Sequence, residues 1–348
     1  MRNRMLTLAA AVLAMGSAHP AIAHGEEQAA RDAVPDPNIA LPAPSTPPLT
    51  LTTEGVTFYG DVSYGPASAN RFDLFLPTSG TPTGLVIFIH GGGFQNGDRS
   101  QAYHLAGWPE RIDALLAAGI AFATIDYTLA TSPDWHGMTT ALGDSTRALQ
   151  FLRYNAKAIN VAPFDIALAG TSAGAGSSLY IGVGDSLADP SSPDIVLRQP
   201  TSVRGVYGDI PQASYDMRMW SSGIFESFAG AGFDISTIER IVTVPAILRM
   251  YGIASLSDLD APAMQPILAR MDMLENMGPD DPPLYLSSWY SADFPTDFNT
   301  LVHHPLMVAS MAARADAEGR PIKASASALG LDTTGGETPT EFLIGLFD

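Results

Sequence analysis

Leu85-Val86-Ile87-Phe88-Ile89-His90-Gly91-Gly92-Gly93-Phe94 is an apolar run that stops at a histidine and three glycines. Five consecutive apolar residues suit a central parallel strand buried on both faces, where alternation with polar residues is not needed. The glycines then leave backbone N–H groups uncovered at the strand's carboxyl end. A second stretch, Ile166-Ala167-Leu168-Ala169-Gly170-Thr171-Ser172-Ala173-Gly174, predicts another strand that turns sharply into a helix begun by the small residues 175–181. At so tight a turn, side chains at positions 170 and 174 would strike neighbouring strands, and the serine between them is forced into strained backbone geometry with its hydroxyl projecting outward.

Outward from these two stretches the pattern repeats. Residues 56–64 and 71–76 alternate as half-buried strands should, while 120–127 and 165–169 read as buried strands. Residues 109–118 and 139–158 carry apolar side chains at helical spacing, among them Leu142, Leu149 and Leu152, and can supply the crossovers. Residues 203–207, 284–288 and 322–326 look like further strands, with helices expected at 306–318 and 339–347. Strands alternating with helices give an α/β class: a mostly parallel central sheet with helices on both faces, spanning 54–348. The insertion at about 209–282, rich in helix formers, Met and Phe, is expected to cap the sheet's carboxyl edge.

The chain has 348 residues, 46% of them hydrophobic, enough for a substantial core. Its formal net charge of -18 repels phosphate backbones and anionic lipid, so nucleic acid is not an expected partner. Cysteine is absent, which removes disulfides and thiolate metal sites. Arg2 and Arg4 precede an apolar run from Met5 to Met15, and Ala21-Ile22-Ala23 offers small residues where a signal peptidase reads. Residues 1–23 are therefore expected to be a signal peptide cleaved before His24, leaving a periplasmic or secreted protein with no membrane anchor; the run is short of the roughly 20 residues that span a bilayer. Residues 24–53, punctuated by Pro35, Pro37, Pro42, Pro44, Pro47 and Pro48, read as a linker or extended arm.

His90-Gly91-Gly92-Gly93 followed by Gly170-Thr171-Ser172-Ala173-Gly174, each after a predicted strand, resembles the α/β-hydrolase superfamily, and within it the carboxylesterase and hormone-sensitive-lipase-like groups. The resemblance covers roughly residues 84–319. It departs from many lipase-like members at Thr171, where they carry Asp, and at Tyr127-Thr128-Leu129-Ala130-Thr131, where they read YRLAP. It implies a serine hydrolase acting on small-molecule carboxylic esters without cofactor or metal. Ser172 is then the nucleophile, and the N–H groups of Gly91, Gly92 and Ala173 are the expected oxyanion donors. His90, closing a buried strand, is expected to be structural.

A serine hydroxyl needs a base, and the base needs an orienting group. In this fold the order is Ser, acid, His. The acid is expected just beyond strand 284–288, at Asp293, with Asp297 as the alternative. The histidine should follow strand 322–326, yet no histidine occurs after His304. One solution is that His304 or its neighbour His303 acts as base, and His304 is assigned here. Others are His104 or His136 from upstream loops, or no base at all, which would make the chain a catalytically silent binding protein on the same scaffold. His303-His304-Pro305 also reads as the opening of helix 306–318, and no ligand spacing along that helix supports a metal. Met217, Met219, Trp220, Phe225, Phe228, Phe233 and Met250 in the cap are candidates for an acyl pocket or for packing within the cap. Asp98-Arg99 and Asp126-Tyr127 are expected to tie loops together. A peptidase of the prolyl-oligopeptidase type is disfavoured, because HGGG glycine loops are commoner in esterases and no propeller domain is expected in this sequence.

Overall fold

The run 85–89 lies at the centre of the sheet. Strand β3 (Thr83–Ile89) sits between β4 (Ala121–Ile125) and β5 (Val161–Thr171) and runs parallel to both. Its side chains divide between two cores, Leu85, Ile87 and Ile89 on one face and Val86 and Phe88 on the other. Neither face meets water, so no polar alternation is written into the strand.

The computed structural model describes residues 34–348, of which 36–348 form one compact unit. The expected signal peptide and the first part of the proline-rich stretch lie outside the described residues. Across the sheet the order is β1 (Val56–Ser63), β2 (Arg71–Pro77), β4, β3, β5, β6 (Val206–Asp209), β7 (Leu284–Ser287), β8 (Lys323–Ala326) and β9 (Leu331–Asp332). The pairs from β4 through β3, β5, β6 and β7 to β8 are parallel; β1, β2 and β9 join antiparallel at the two edges.

Helix α1 (Trp108–Ala117) buries Trp108, Ile112, Leu115 and Leu116 on the Val86/Phe88 face. Helices α2 (Met138–Tyr154) and α3 (Ala173–Gly182) cover the opposite face, with Leu142, Leu149, Leu152 and Leu179 inside. Each such side chain, fully buried, contributes roughly 1.5–3 kcal/mol. Between β6 and β7 the chain forms the helical insertion: α4 (Ile235–Val242), α5 (Val244–Tyr251), α6 (Gln265–Arg270) and α7 (Met273–Asn276), with short 3-10 turns before α4 and between α5 and α6. After β7 come α8 (Phe298–Val302), α9 (Leu306–Ala317) and, after β9, α10 (Pro339–Gly345).

The described part of the proline-rich stretch is an arm laid on the domain. Ser45 donates its N–H to the Phe58 carbonyl at 3.0 Å, the Thr52 and Thr53 N–H groups both meet the Asp113 carboxylate, and Leu49 and Leu51 pack against the core. Among the described residues no helix is long and apolar enough to cross a membrane.

Candidate active site

Ser172 stands between the end of β5 and the start of α3 with φ 52° and ψ −122°, a strained conformation for a residue with a side chain. The two flanking glycines permit it. A Cβ on Gly170 would run into the main chain of Gly174, and one on Gly174 into the carbonyl of Ile89 at the end of β3. The hydroxyl is thereby lifted to the carboxyl edge of the sheet, beside the glycine loop that follows β3.

His303 meets it there. Its Nε2 lies 2.7 Å from Ser172 Oγ, across 131 positions of sequence. The backbone of His303 is fixed on both sides: its N–H donates to the Asn299 carbonyl at 3.1 Å, and its own carbonyl accepts from Ser288 Oγ at 2.9 Å. The Tyr290 ring packs against the imidazole at 4.9 Å between centroids. The ring is buried, and this desolvation lowers its pKa to about 4; the Asn299 carbonyl acts in the opposite direction, favouring the protonated ring.

His304, the sequence-based assignment, is not at the serine. Its Nε2 donates to the main-chain carbonyl of Asp293 at 3.1 Å and its Nδ1 accepts from the Leu306 N–H at 3.1 Å, so both ring nitrogens are engaged. Its ring packs edge-on against Phe225 and Phe228. The helix after this point begins at Leu306, as the sequence predicts, but His303 also caps the carboxyl end of a short preceding helix, α8, which the sequence reading did not include.

Asp293 is exposed, and its carboxylate meets Ser291 rather than an imidazole. Asp297 caps α8, accepting from the Thr300 N–H at 2.9 Å. Among the described residues nothing meets His303 Nδ1 in hydrogen-bond geometry. The pair at the centre is therefore a serine and a histidine without a carboxylate on the ring. His104 and His136 are exposed in their loops and make no hydrogen bond to Ser172.

The glycine loop also differs from expectation. The Gly91 N–H is already bonded to Gln101 Oε1 at 2.7 Å, so it is not available to an oxyanion. Gly92 takes φ +115°, which only glycine adopts without strain. Among the described residues the N–H groups of Gly92 and Gly93 have no acceptor, and the Ala173 N–H, at the first turn of α3, has no helical one. Gly93 was not among the donors expected from the sequence, because a glycine run does not say which of its amides are left without a partner.

Ser172, His303, Gly92 and Gly93 line one cavity of about 490 Å³, together with Met217, Trp220, Met250, Phe298 and Val302. Of the cap residues singled out in the sequence, Met217, Trp220 and Met250 reach this cavity. Phe225, Phe228 and Phe233 instead pack around His304 and Phe294, and Met219 is exposed. Arg99 joins Asp73 and Asp126 outside the cavity, a tie between loops and strands. Among the described residues no cluster of His, Asp and Glu could hold a metal ion.

The BD-FAE family model matches residues 72–276. No curated protein sequence matches the chain. Solved structures share the fold at low identity. A truncated carbohydrate esterase from gut microbiota has a TM-score of 0.58 and 18% identity over 83% of this chain and 96% of its own. The acetyl ester-xyloside bifunctional hydrolase of Caldicellulosiruptor lactoaceticus has a TM-score of 0.52 and 18% identity, covering 80% and 86% of the two chains. Butyrate-bound Est2 of Thermogutta terrifontis has a TM-score of 0.53 and 14% identity, covering 85% and 92%. The chain belongs to the BD-FAE family of α/β-hydrolase esterases and is a carboxylic ester hydrolase.

Proposed function

We propose that the chain is an exported serine esterase that cleaves small-molecule carboxylic esters through an acyl-enzyme on Ser172, with His303 as general base. The observation that carries this is the 2.7 Å contact between Ser172 Oγ and His303 Nε2 inside the cavity. As Oγ attacks the ester carbonyl carbon, its proton passes to Nε2 and the carbonyl electron pair moves onto oxygen. The N–H groups of Gly92, Gly93 and Ala173 receive that oxyanion. Collapse expels the alcohol, which takes the proton from His303. Water then repeats the cycle on the acyl-enzyme and releases the acid. The silent-binder alternative drew on the missing C-terminal histidine, and His303 supplies an imidazole from another loop.

Export is supported by Arg2, Arg4, the apolar run after them and Ala21-Ile22-Ala23; a secreted product starting at His24 is its signature. The chemistry is tested with a short-chain p-nitrophenyl ester and a fluorophosphonate. Ser172→Ala and His303→Ala are expected to lower kcat by about 10⁴-fold or more, with loss of labelling. His304→Ala is expected to keep kcat within about tenfold while losing about 1–3 kcal/mol of stability, since it unpairs the Asp293 carbonyl and the Leu306 N–H. The opposite ranking of the two histidines would overturn the assignment of His303.

A further inference from the structure

Three successive glycines cannot hold their own conformation, so the peptide planes of the loop 90–93 must be set from outside. The structure shows what sets them. The His90–Gly91 peptide is held at both ends: its carbonyl accepts from Tyr127 Oη at 3.0 Å, and its N–H donates to Gln101 Oε1 at 2.7 Å. The next peptide is held by its carbonyl, Gly91 O, against His90 Nδ1 at 2.7 Å. A trans peptide points its N–H opposite to its C=O, so fixing these groups also fixes where the Gly92 N–H points. Gly91 has no slack to adjust in place, because a Cβ there would lie 2.9 Å from the Thr171 carbonyl and 3.2 Å from Ser172 Cβ.

Gln101 is itself anchored. It lies on the 3-10 turn Arg99–Tyr103, which Asp98 caps by accepting from the Ser100 N–H at 2.8 Å. Arg99 fastens the start of that turn to Asp73 of β2, and the Arg99 carbonyl accepts from Thr124 Oγ1 of β4 at 2.8 Å. The Gly91 N–H can only donate, so the side-chain oxygen of Gln101 must face it. Gln101 also lines the catalytic cavity.

We infer that Gln101 is a positioning residue: by accepting the Gly91 N–H it transmits the rigidity of the sheet to the His90–Gly91 peptide and so aims the oxyanion donor Gly92, whereas the Gly93 N–H is set within the turn, where the Gly92 carbonyl accepts from the Gln95 and Asn96 N–H groups at 3.0 and 3.2 Å. This rests on the oxyanion hole of the proposed function. Without the Gln101 acceptor, the buried Gly91 N–H is left unpaired, the His90–Gly91 peptide keeps only its carbonyl tie to Tyr127, and its tilt carries the Gly92 N–H off its aim. The ground-state ester, whose carbonyl oxygen carries little charge, is bound almost as before; the tetrahedral oxyanion is not.

The test compares Gln101→Met, of similar length but without an acceptor, and Gln101→Asn, whose amide is one methylene short, with the wild-type protein. On a p-nitrophenyl butyrate substrate, kcat is expected to fall about 10- to 100-fold with KM within about threefold. A trifluoromethyl ketone, to which Ser172 Oγ adds reversibly to give a hemiketal oxyanion while its proton moves to His303, is expected to bind more weakly by the same factor as kcat/KM. Inhibition by butyrate, which forms no such adduct, is expected to stay unchanged. A folded variant with kcat within about twofold of wild type, or a loss of kcat without a parallel loss of ketone affinity, overturns the inference. If one variant does not fold, the other decides; loss of cooperative melting in both also counts against it, since positioning predicts a folded, slow enzyme. A wild-type protein that neither turns over ester nor reacts with fluorophosphonate fails the proposed function instead.

Discussion

Burial of the His303 ring lowers its pKa to about 4 from the ordinary 6.5, and the direction has a kinetic consequence. A base must be neutral, and the neutral fraction is lost as pH falls through the folded-state pKa. The acid limb of kcat/KM, which reports the free enzyme, is therefore expected near pH 4 rather than near 6.5. The measurement is kcat/KM on p-nitrophenyl acetate from pH 3.5 to 8, with tryptophan fluorescence following the fold; a half-maximal pH above about 6 would contradict the buried, unpaired ring. Stability moves the same way. Between 6.5 and about 4 the unfolded chain protonates this ring and the native one does not, so its contribution favours unfolding as pH falls. At this scale the strained turn that carries Ser172 was legible in the sequence because its reasons are local, two glycines and a strand before them. His303 was not distinguishable from His304, since successive residues leaving a helix point about 100° apart and only the helix phase says which ring meets the serine. Gly91 was misread because its partner, Gln101, lies ten positions away and carries no motif.

The strand-to-helix unit around Ser172 owes its position to contact between elements. Gly174, at the start of α3, packs directly on the carbonyl ends of Ile89 and His90, so β3 and α3 approach more closely than any side chain permits. The atoms in the way are backbone, which cannot swing aside. Gly174→Ala is expected to destabilise the fold by about 3 kcal/mol or more, read as a fall in the urea midpoint, and to move Ser172 away from the glycine loop. A variant as stable as wild type would show that the two elements can separate without cost. The central strands were legible from residue type alone, β3 above all, because burial on both faces selects an unbroken apolar run. Helix α8 was not. It has only five residues, and its start is marked by a capping box in which Asp297 accepts from the Thr300 N–H while Thr300 Oγ1 accepts from the Asp297 N–H at 3.2 Å. In sequence that Asp was considered as a catalytic acid; the signal for a cap, Asp followed three residues later by Thr, is present but slight.

At the scale of the whole molecule the excess of acids over bases, 36 Asp and Glu against 18 Lys and Arg, sets a field that every incoming substrate crosses. The cavity walls are largely apolar, with Met217, Trp220, Met250, Phe298 and Val302 near the serine, and so favour uncharged acyl and alcohol groups. The two features act on different substrates. A neutral ester feels only the walls, and its kcat/KM is insensitive to salt. An anionic ester is repelled on approach, and screening relieves the repulsion as the Debye length shrinks from about 30 Å at 0.01 M to about 8 Å at 0.15 M. With p-nitrophenyl butyrate and mono-p-nitrophenyl succinate as the pair, raising sodium chloride from about 10 to about 500 mM is expected to increase kcat/KM for the succinate by roughly 3- to 10-fold and to change the butyrate by less than about twofold. KM should carry most of the change and kcat little, because the field acts before the ester reaches Ser172. Equal salt responses for the two esters would mean that the acidic residues lie too far from the mouth of the cavity to act on substrate, and that the wall residues alone select it.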